Sequence, residues 1–330
     1  MAAMALGIIG FGIMGERLLR AALAHDPAMV QVASVWDPSP AAAARLAAIA
    51  PVPMRDSAAA VIAGCDCLYI ASPPATHLDH AQAALEAGRA VFLEKPLAVD
   101  LAVAERFVAA AEARGARAAV NFPMASSPAV AQLVAWRDQG AVGAAQALAI
   151  EVAFATWPRG WQQDAASWLA LRAQGGFTRE VVSHFLFLTR RLLGPVTLLE
   201  ASASFPAGDG AETAISARLQ AGGLPVTLAG GVGTTAKDDH NTWTLRGPGG
   251  AIRLRDWSFA EREQANGSWA EAPAALPNER MRPLVLKGQL DKLAAMTRGE
   301  PQGLATLREA LEVQQVVEAI LAGQGSGRPT

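Results

Sequence analysis

The sequence predicts an α/β protein in which a doubly wound, parallel sheet is followed by an α+β region with a large, mostly antiparallel open sheet. Up to about residue 120, short apolar runs alternate with alanine-rich helical stretches, an order typical of a parallel sheet with helices on both faces. The runs are continuous rather than alternating, as strands buried on both faces require. From residue 195 to 259, strand-like runs follow one another with turns and little helix between them, which favours antiparallel pairing.

The first region has helix boundaries that can be recognised from single residues. Gly88 and Gly115 each follow a helical stretch, where glycine commonly ends a helix. Asp100 stands where a helix N-cap is expected. The predicted strands are residues 6–9, 30–35, 68–71, 90–93 and 116–120, and the predicted helices are residues 16–24, 41–48, 76–87 and 101–114.

The pattern changes after about Asn121, so we expect two domains, residues 1–122 and residues 123–330. In the second region a long helix is predicted from Thr178 to Leu193. We expect the tail, residues 323–330, to fray. The other elements are a helix at 128–139, a long apolar run at 144–155, a tryptophan-rich polar segment at 157–168, and closing helices at 283–297 and 303–322.

The composition narrows the class of protein. Of the 330 residues, 52% are hydrophobic and 18% are charged, which excludes an intrinsically disordered chain. The formal net charge of -2 gives no electrostatic basis for binding nucleic acid or an anionic membrane surface. No apolar run approaches the ~20 residues of a membrane span. We therefore expect a cytoplasmic protein whose partner is a small-molecule substrate.

Cysteine and histidine spacing indicates neither a disulfide nor a metal site. Cys65 and Cys67 lie on one face of a strand, where a disulfide between them would be strained, so we expect reduced packing residues. His77 and His80 are one helical turn apart, but no third ligand accompanies them and no metal is predicted. An open sheet should expose one apolar face unless a second copy covers it, which predicts a homodimer or homotetramer.

A glycine motif between the first strand and the first helix indicates a dinucleotide site. In G-x-G-x-x-G, the first glycine allows a tight turn, the second lets the backbone approach a pyrophosphate, and the third lets helix and strand pack closely. The helix N-terminus then faces the phosphates. The motif residues are Gly10, Phe11, Gly12, Ile13, Met14 and Gly15.

Asp37 completes this dinucleotide-binding (Rossmann) fingerprint. It lies about twenty residues beyond Gly15, at the end of the second apolar run. Its carboxylate would accept hydrogen bonds from the adenosine ribose hydroxyls and repel a 2′-phosphate, and the next residues, Pro38-Ser39-Pro40, offer no arginine. NAD(H) is therefore the preferred cofactor, with NADP(H) as a possible second.

A second group of motifs comprises Ala71-Ser72-Pro73-Pro74, His77, Glu94-Lys95-Pro96 and Asn121. Together they resemble the Gfo/Idh/MocA family of oxidoreductases, which includes glucose–fructose oxidoreductases and inositol dehydrogenases. The resemblance implies that Lys95 lies beside the nicotinamide and assists proton transfer, and that Pro96 follows a cis peptide bond. It also implies that the segment after the third strand wraps the cofactor and that His77 lies near the nicotinamide. The residues carrying it, all expected to contact the cofactor, are Ala71, Ser72, Pro73, Pro74, His77, Glu94, Lys95, Pro96 and Asn121.

The family's other signature, a glycine run followed by D-x-x-x-H on a helix, is present here in altered form. Gly175 and Gly176 precede Glu180 and His184, and Glu180 stands where the family usually has Asp. The resemblance implies that His184 is the catalytic histidine. Residues i and i+4 share one helix face, so Glu180 is placed to orient His184 and raise its basicity.

These residues together predict hydride transfer. The substrate oxygen must lose or gain a proton when hydride moves, and an imidazole such as His184 suits general acid–base catalysis near neutrality. Lys95 would polarise that oxygen or relay the proton. Trp161 and Trp168 would line the substrate pocket by stacking on a flat or ring-shaped substrate, and packing in the core or at an interface is the alternative.

We therefore expect an NAD(H)-dependent oxidoreductase that acts on the carbonyl or alcohol of a small polyol, sugar or related cyclic substrate. Residues 121–128 lack the arginine–aromatic pair of many sugar-acting relatives, which keeps reduction of an imine, or oxidation of a dihydrodiol, as an alternative. A non-catalytic, dinucleotide-sensing regulator is the other alternative, and Lys95 and His184 count against it.

Overall fold

The computed structural model describes residues 2–323, except for the side chain of Asp164. Contacts divide the chain into two compact units. The first comprises the described residues up to Ser126 together with Pro283–Leu311, and the second comprises Ser127–Arg282 and the described residues from Glu312 onward. This division differs from the expected continuous segments 1–122 and 123–330, because a late segment returns to the first unit. Most of the expected frayed tail lies outside the described residues.

Helices and strands occur in the order that the sequence predicts. The helices are α1 (Ile13–Leu23), α2 (Pro40–Ile49), α3 (Ala58–Ala63), α4 (His77–Glu86), α5 (Leu101–Ala113), α6 (Pro128–Asp138), α7 (Ala166–Leu169), α8 (Ser183–Leu193), α9 (Asn278–Thr297) and α10 (Leu307–Leu321). The strands are β1 (Met4–Ile9), β2 (Val30–Trp36), β3 (Cys67–Ile70), β4 (Ala90–Leu93), β5 (Ala118–Val120), β6 (Ala147–Phe154), β7 (Val196–Ser204), β8 (Ala214–Ala221), β9 (Leu224–Val232), β10 (Asp239–Gly247), β11 (Gly250–Arg255), β12 (Phe259–Glu263) and β13 (Trp269–Glu271).

The first unit contains a five-stranded sheet in the order β2-β1-β3-β4-β5, and every neighbouring pair is parallel. This confirms the predicted doubly wound sheet. The strand order reverses between β1 and β3, and ligands bind at the carboxyl ends of the strands at such a switch point. The glycine motif follows β1 and the segment beginning at Ala71 follows β3, so both lie at this position.

Burial by α9 explains why the late segment joins the first unit. Leu286, Leu290 and Leu293 of this helix are buried in the same core cluster as Leu6 and Phe92 of the sheet. Each fully buried side chain of this kind contributes about 1.5–3 kcal/mol relative to an exposed one. The apolar pattern of α9 predicted a helix, but the sequence could not show which sheet it would cover.

Several helix boundaries differ from the sequence-based expectation. The sequence did not indicate α3, which has only six residues and begins where the Ser57 side chain accepts a hydrogen bond from the Ala60 N–H. The start of α9 was predicted near Pro283, but this helix begins at Asn278 with Pro283 inside it. The start of α10 is set by reciprocal capping between Thr306 and Glu309.

The second unit contains an eight-stranded sheet in the order β13-β12-β11-β10-β6-β9-β8-β7. Every neighbouring pair is antiparallel except β6–β9, which confirms a mostly antiparallel open sheet. Trp243 of β10 is fully buried, and its indole N–H donates to Thr189 Oγ1 of α8 at 2.9 Å. This bond ties the sheet to the helix that carries His184.

The outward face of the second sheet carries small and polar side chains. On β8 its exposed residues are Ser216, Arg218 and Gln220, whereas on β6 the outward residues include Ala147, Ala149 and Ala153. Leu199 of β7 is a large apolar side chain exposed on the described part of the sheet. The face is thus less apolar than expected, and the homodimer or homotetramer stays a prediction. Among residues 2–323, no helix combines the length and hydropathy that crossing a membrane requires.

Candidate functional site

The three glycines of the motif have distinct environments that match their predicted tasks. Gly10 has φ of +88°, and a Cβ there would lie 2.5 Å from the Ala71 carbonyl carbon. A Cβ at Gly15 would collide with the Gly10 carbonyl oxygen, so α1 packs closely on the end of β1. A Cβ at Gly12 would meet nothing within 4 Å. The loop therefore fits a dinucleotide, because Gly12 leaves open space next to the N-terminus of α1.

Asp37 is joined to the glycine loop by hydrogen bonds. Its Oδ2 accepts from the Phe11 N–H at 2.6 Å, and its Oδ1 accepts from the Ser39 N–H at 2.8 Å. These donors hold the carboxylate beside the loop, where it can meet ribose hydroxyls.

Arg45 is a neighbour of this loop that the sequence reasoning missed. From α2 its guanidinium donates to the Phe11 carbonyl oxygen and lies 5.9 Å from the Phe11 ring centroid. The prediction of cofactor preference considered only the three residues after Asp37, whereas Arg45, about two helical turns further along the chain, reaches the glycine loop. The loop therefore holds a cation close to the acid that was expected to select NAD(H).

His77 connects two of the predicted cofactor segments. Its Nε2 lies 2.7 Å from the Ser72 carbonyl oxygen and its Nδ1 lies 2.9 Å from that of Pro96. The residue is only 1% exposed, and burial lowers the pKa of the imidazole. The Lys95–Pro96 peptide bond is cis, as expected. His77 thus holds together the segments after β3 and β4.

A buried hydrogen-bond network surrounds Glu94. The carboxylate Oε1 accepts from the Tyr69 hydroxyl and from Asn121 Nδ2, the latter at 2.6 Å. Asn121 Oδ1 in turn accepts from Gln289 Nε2 at 2.5 Å. Burial and the Glu94 charge raise the pKa of the Tyr69 hydroxyl well above its usual range. Glu94 and Asn121, expected to contact the cofactor, therefore fix the segment that presents half-buried Lys95.

The helix that carries Glu180 and His184 begins irregularly. Thr178–Val182 forms a π-helical turn, in which the Ser183 N–H donates to the Thr178 carbonyl oxygen, and α8 follows it. This corrects the prediction of one regular helix from Thr178 to Leu193. Such turns occur frequently at functional sites, and the wider turn changes the angular offset that an α-helix would give Glu180 and His184.

The ring of His184 packs against Trp257, a residue that the sequence reasoning did not identify. His184 is 8% exposed, and the two rings meet edge to face with centroids 5.5 Å apart. Trp257 has φ of +71° and follows Asp256 with φ of +45°. Two consecutive non-glycine residues in the left-handed region cost free energy, and such strain concentrates at functional sites. No sequence pattern marks this turn.

Glu212 was also missed, although it holds the start of the helix that carries Glu180 and His184. Its Oε1 accepts from the Thr178 N–H at 2.6 Å, and the residue is 1% exposed. Burial raises the pKa of this carboxyl group. Gly176 has φ of +98°, and a Cβ there would collide with the Glu212 carboxylate. The second glycine of the pair therefore makes room for a buried acid.

The tryptophans before this helix surround an arginine. The guanidinium carbon of Arg159 lies 4.8 Å from the Trp161 ring centroid and 5.7 Å from that of Trp157. Trp161 is 42% exposed, which suits a side chain that stacks on a ligand. Trp168 of α7 is half-buried, and no described contact brings it to Trp161.

The predicted residues thus form one group in each unit. In the first unit, hydrogen bonds connect Asp37 to the glycine loop, His77 to Ser72 and Pro96, and Glu94 to Asn121. In the second unit, Glu180 and His184 share a helix and Trp161 lies beside Arg159. Among residues 2–323, no cluster of three or more His, Cys, Asp or Glu side chains could hold a metal ion.

Comparison with known proteins relates this geometry to an oxidoreductase family. Residues 4–122 match the model of the oxidoreductase family with an NAD-binding Rossmann fold. Inositol 2-dehydrogenase 3 of Saccharopolyspora erythraea is 37% identical over 114 residues, which are 34% of this chain and 33% of that protein. The matched stretch thus spans about a third of that relative.

Two solved structures share the fold over nearly the whole chain. An oxidoreductase from Agrobacterium radiobacter, in complex with NAD+, L-tartaric acid and magnesium, has a TM-score of 0.82 and 18% identity, covering 99% of this chain and 98% of that one. A 3-ketoreductase from Actinomadura kijaniata, in complex with NADP and TDP-benzene, has a TM-score of 0.79 and 20% identity, covering 98% of each chain. At these identities the likeness shows the fold alone. Residues 4–122 thus match the Gfo/Idh/MocA oxidoreductase family, the family with an NAD-binding Rossmann fold.

Proposed function

We propose that this protein is an NAD(H)-dependent oxidoreductase that transfers hydride between nicotinamide and the carbonyl or alcohol carbon of a small polyol, sugar or related cyclic substrate. The observation that carries the proposal is the glycine loop. Gly12 faces open space while Asp37 is held beside the loop by the Phe11 N–H. This arrangement supplies both the phosphate cradle and the ribose acceptor that a nicotinamide dinucleotide needs.

The residues of the first unit fit this cofactor. The N-terminal amides of α1 would bind the pyrophosphate, and Asp37 would accept from the ribose hydroxyls and repel a 2′-phosphate. Arg45, close to Phe11, offers a positive charge to a 2′-phosphate, which supports NADP(H) as a second cofactor. The bound cofactor supplies or accepts the hydride.

The chain's own residues handle the proton. We assign to His184 the exchange of a proton with the substrate oxygen, for which an imidazole is suited near neutrality. Trp257 holds the ring of His184, and Glu180 orients it from the preceding helical turn. Lys95 polarises the substrate oxygen or relays the proton. The network around Glu94 and the contacts of His77 keep the Lys95 segment in place.

A direct experiment tests the proposed activity. Purified protein is mixed with NAD+ and a panel of polyols and sugars, and the absorbance of the reduced nicotinamide is followed. We expect turnover with at least one member. Absence of turnover on the panel, with NAD+ binding retained in a separate titration, would favour the non-catalytic regulator instead.

Imine reduction or dihydrodiol oxidation is the second candidate activity. Asn121 and Phe122 are 1% and 2% exposed, and Asn121 is already bonded to Glu94 and Gln289. This segment therefore offers few polar groups to a free sugar. Adding cyclic imines and dihydrodiols to the panel separates the two activities.

The proposal also includes an oligomeric state and a cellular location. A homodimer or homotetramer is tested by light scattering coupled to size-exclusion chromatography. The cytoplasm is the proposed location, and two buried thiols that form no disulfide accord with it. Burial raises the pKa of Cys65 to about 11 and that of Cys67 to about 12.

A further inference from the structure

Asp239 joins two parts of the second unit, namely the tryptophan-rich segment at residues 157–168 and the turn that contains Trp257. Its Oδ2 accepts from Arg159 Nη1 at 2.7 Å and from the Trp257 indole N–H at 3.2 Å. The side chains of Asp239 and Arg159 are 20% and 7% exposed, so solvent screens their attraction less than at the surface. One carboxylate oxygen therefore accepts both a charge-assisted bond and the indole donor.

Arg159 keeps this carboxylate in one place. Its Nε donates to Gln162 Oε1 at 2.9 Å, and its guanidinium lies over the rings of Trp157 and Trp161. A planar guanidinium that is bonded at its edge and packed on aromatic rings has little freedom to rotate. Nη1 therefore donates to Asp239 in a fixed direction, and the position of Oδ2 follows from it.

The backbone of the turn around Trp257 is fixed separately, by Asp256. Asp256 Oδ1 accepts from the Asn241 N–H at 3.1 Å, and the Asp256 N–H donates to the Asn241 carbonyl oxygen at 2.8 Å. Asp256 Oδ2 also accepts from Arg255 Nη1 at 3.2 Å. These bonds hold the left-handed backbone, but none of them involves the indole. The direction of the indole therefore depends on its own contacts.

The contacts of the Trp257 indole differ in how strictly they orient it. Its ring centroid lies 5.5 Å from that of His184 and 5.2 Å from that of Phe185, both on α8. Aromatic pairs form over a range of separations and tilts, whereas a hydrogen bond requires the N–H to point at its acceptor. The bond to Asp239 therefore determines how the indole is turned toward His184.

We propose, building on the proposed function, that Asp239 is a positioning residue for His184. It directs the Trp257 indole against the imidazole, and through Arg159 it ties this contact to the segment that carries Trp161. Trp161 then binds the ring of the substrate, whereas Asp239 aligns the group that exchanges a proton with the substrate. Loss of Asp239 should therefore lower kcat, and loss of Trp161 should raise KM.

NMR spectroscopy measures the position of the His184 ring without turnover. The Cε1–H and Cδ2–H signals of His184, one of five histidines, are assigned by their loss in His184→Ala. The π electrons of the Trp257 indole shift these signals, because the two rings are in contact. In Asp239→Ala we expect the signals to move toward their positions in Trp257→Leu. Asp239→Asn, whose carbonyl oxygen can still accept from both donors, should keep them close to the wild-type positions.

Steady-state kinetics with a substrate identified in the panel gives a second readout. Asp239→Ala should lower kcat roughly 3- to 10-fold and leave KM nearly unchanged. Because Asp239 acts through Trp257, adding Asp239→Ala to Trp257→Leu should lower kcat no further. Trp161→Ala should show the opposite split, with a raised KM and a kcat near that of the wild type.

Two further variants separate positioning from a general loss of structure. Asp238 is bonded to the same segment, at the Gly160 N–H at 3.1 Å, but its carboxylate is not among the described contacts of the indole. Asp238→Ala should therefore leave the His184 signals and kcat unchanged. Arg159→Met combined with Asp239→Ala removes the ion pair as a whole, so no buried charge is left unpaired, and should move the same signals as Asp239→Ala.

The outcomes that contradict the proposal are distinct from a failure of the proposed function. The proposal is overturned if the His184 signals keep their wild-type positions both in Asp239→Ala and in the variant that lacks the ion pair. It is also overturned if Asp238→Ala moves the signals as far as Asp239→Ala does. If no member of the panel is turned over, the proposed function fails, and the NMR signals still decide whether Asp239 positions His184.

Discussion

The indole of Trp257 meets the imidazole of His184 edge to face, with 5.5 Å between the ring centroids. An aromatic pair of this kind contributes about 0.5–1.5 kcal/mol. The indole N–H is bonded to Asp239, and the backbone of Trp257 is in the left-handed region. Three features of one residue therefore serve to place its ring against His184.

Replacing Trp257 should impair catalysis more than binding of the cofactor. In Trp257→Leu the edge-to-face contact is lost, and we expect kcat to fall up to about tenfold with a shifted pH profile. Trp257→Phe keeps the ring contact and should recover most of the activity. Equal activity and an unchanged pH profile in Trp257→Leu would show that the contact does not position His184.

Lys95 and His184 should each be needed for turnover. General acid–base groups contribute about 10²–10⁴-fold to the rate, so Lys95→Ala and His184→Ala are expected to lower kcat within that range while NADH affinity changes little. Lys287→Ala removes an exposed lysine whose side chain is 61% accessible and serves as the control. Full activity in both variants would refute the assignment.

Asp37 and Arg45 should affect cofactor choice in opposite directions. Asp37→Ala removes the ribose acceptor and the repulsion of a 2′-phosphate, so the ratio of kcat/KM for NAD+ over NADP+ should fall roughly tenfold. Arg45→Ala removes a cation near Phe11 and should raise that ratio. Steady-state kinetics with both cofactors measures the change, and a constant ratio in Asp37→Ala would contradict the assignment.

Glu212 should make the folded state less stable as the pH rises. Burial raises its pKa above the ordinary value of a glutamate. At pH values above about 4.5 the folded state therefore binds more protons than the unfolded state, and the free energy of unfolding decreases with rising pH. Glu212→Gln removes this dependence. Denaturant unfolding from acidic to neutral pH should show the variant gaining stability relative to the wild type. Glu200→Gln, at a carboxylate 63% accessible, should show no such trend.

Tyr69 gives a spectroscopic test of the network around Glu94, because it is the single tyrosine of the chain. Its pKa is raised well above 10 by burial and by the Glu94 carboxylate. In an alkaline titration, tyrosinate absorbance should stay absent until the protein unfolds, whereas the chain in denaturant should titrate at the ordinary value of about 10. Titration of the native protein at that ordinary value would rule out the buried bond to Glu94.

The cofactor half of the site could be predicted from the sequence because its signals are local. The glycines, Asp37 and the Lys95–Pro96 segment follow strand ends in short, recognisable patterns, and a doubly wound sheet brings strand ends together. Arg45 and Tyr69 could not be identified in this way, since a helix turn and a strand interior carry no motif that points to a neighbour distant in sequence.

The part of the candidate site that lies in the second unit could be predicted only in outline. Glycines 175 and 176 with His184 marked the helix, but the π-helical turn depends on packing, and Glu212 reaches the helix from the loop before β8. Trp257 lies on a strained turn that depends on sheet register rather than on composition. The small and polar side chains on the outer face of the sheet likewise depend on which residues alternate outward, and the irregular spacing of the turns concealed that register.

The contact between Gly176 and Glu212 constrains how the sequences of relatives can change. Because a Cβ at position 176 would overlap the buried carboxylate, Gly176 cannot gain a side chain while Glu212 is kept. In an alignment of relatives, a side chain at position 176 should occur only together with a smaller residue at position 212. Positions 176 and 212 should therefore covary although they are distant in sequence. Because Gly176 also has φ of +98°, glycine should stay common at this position even in lineages that have lost the acid.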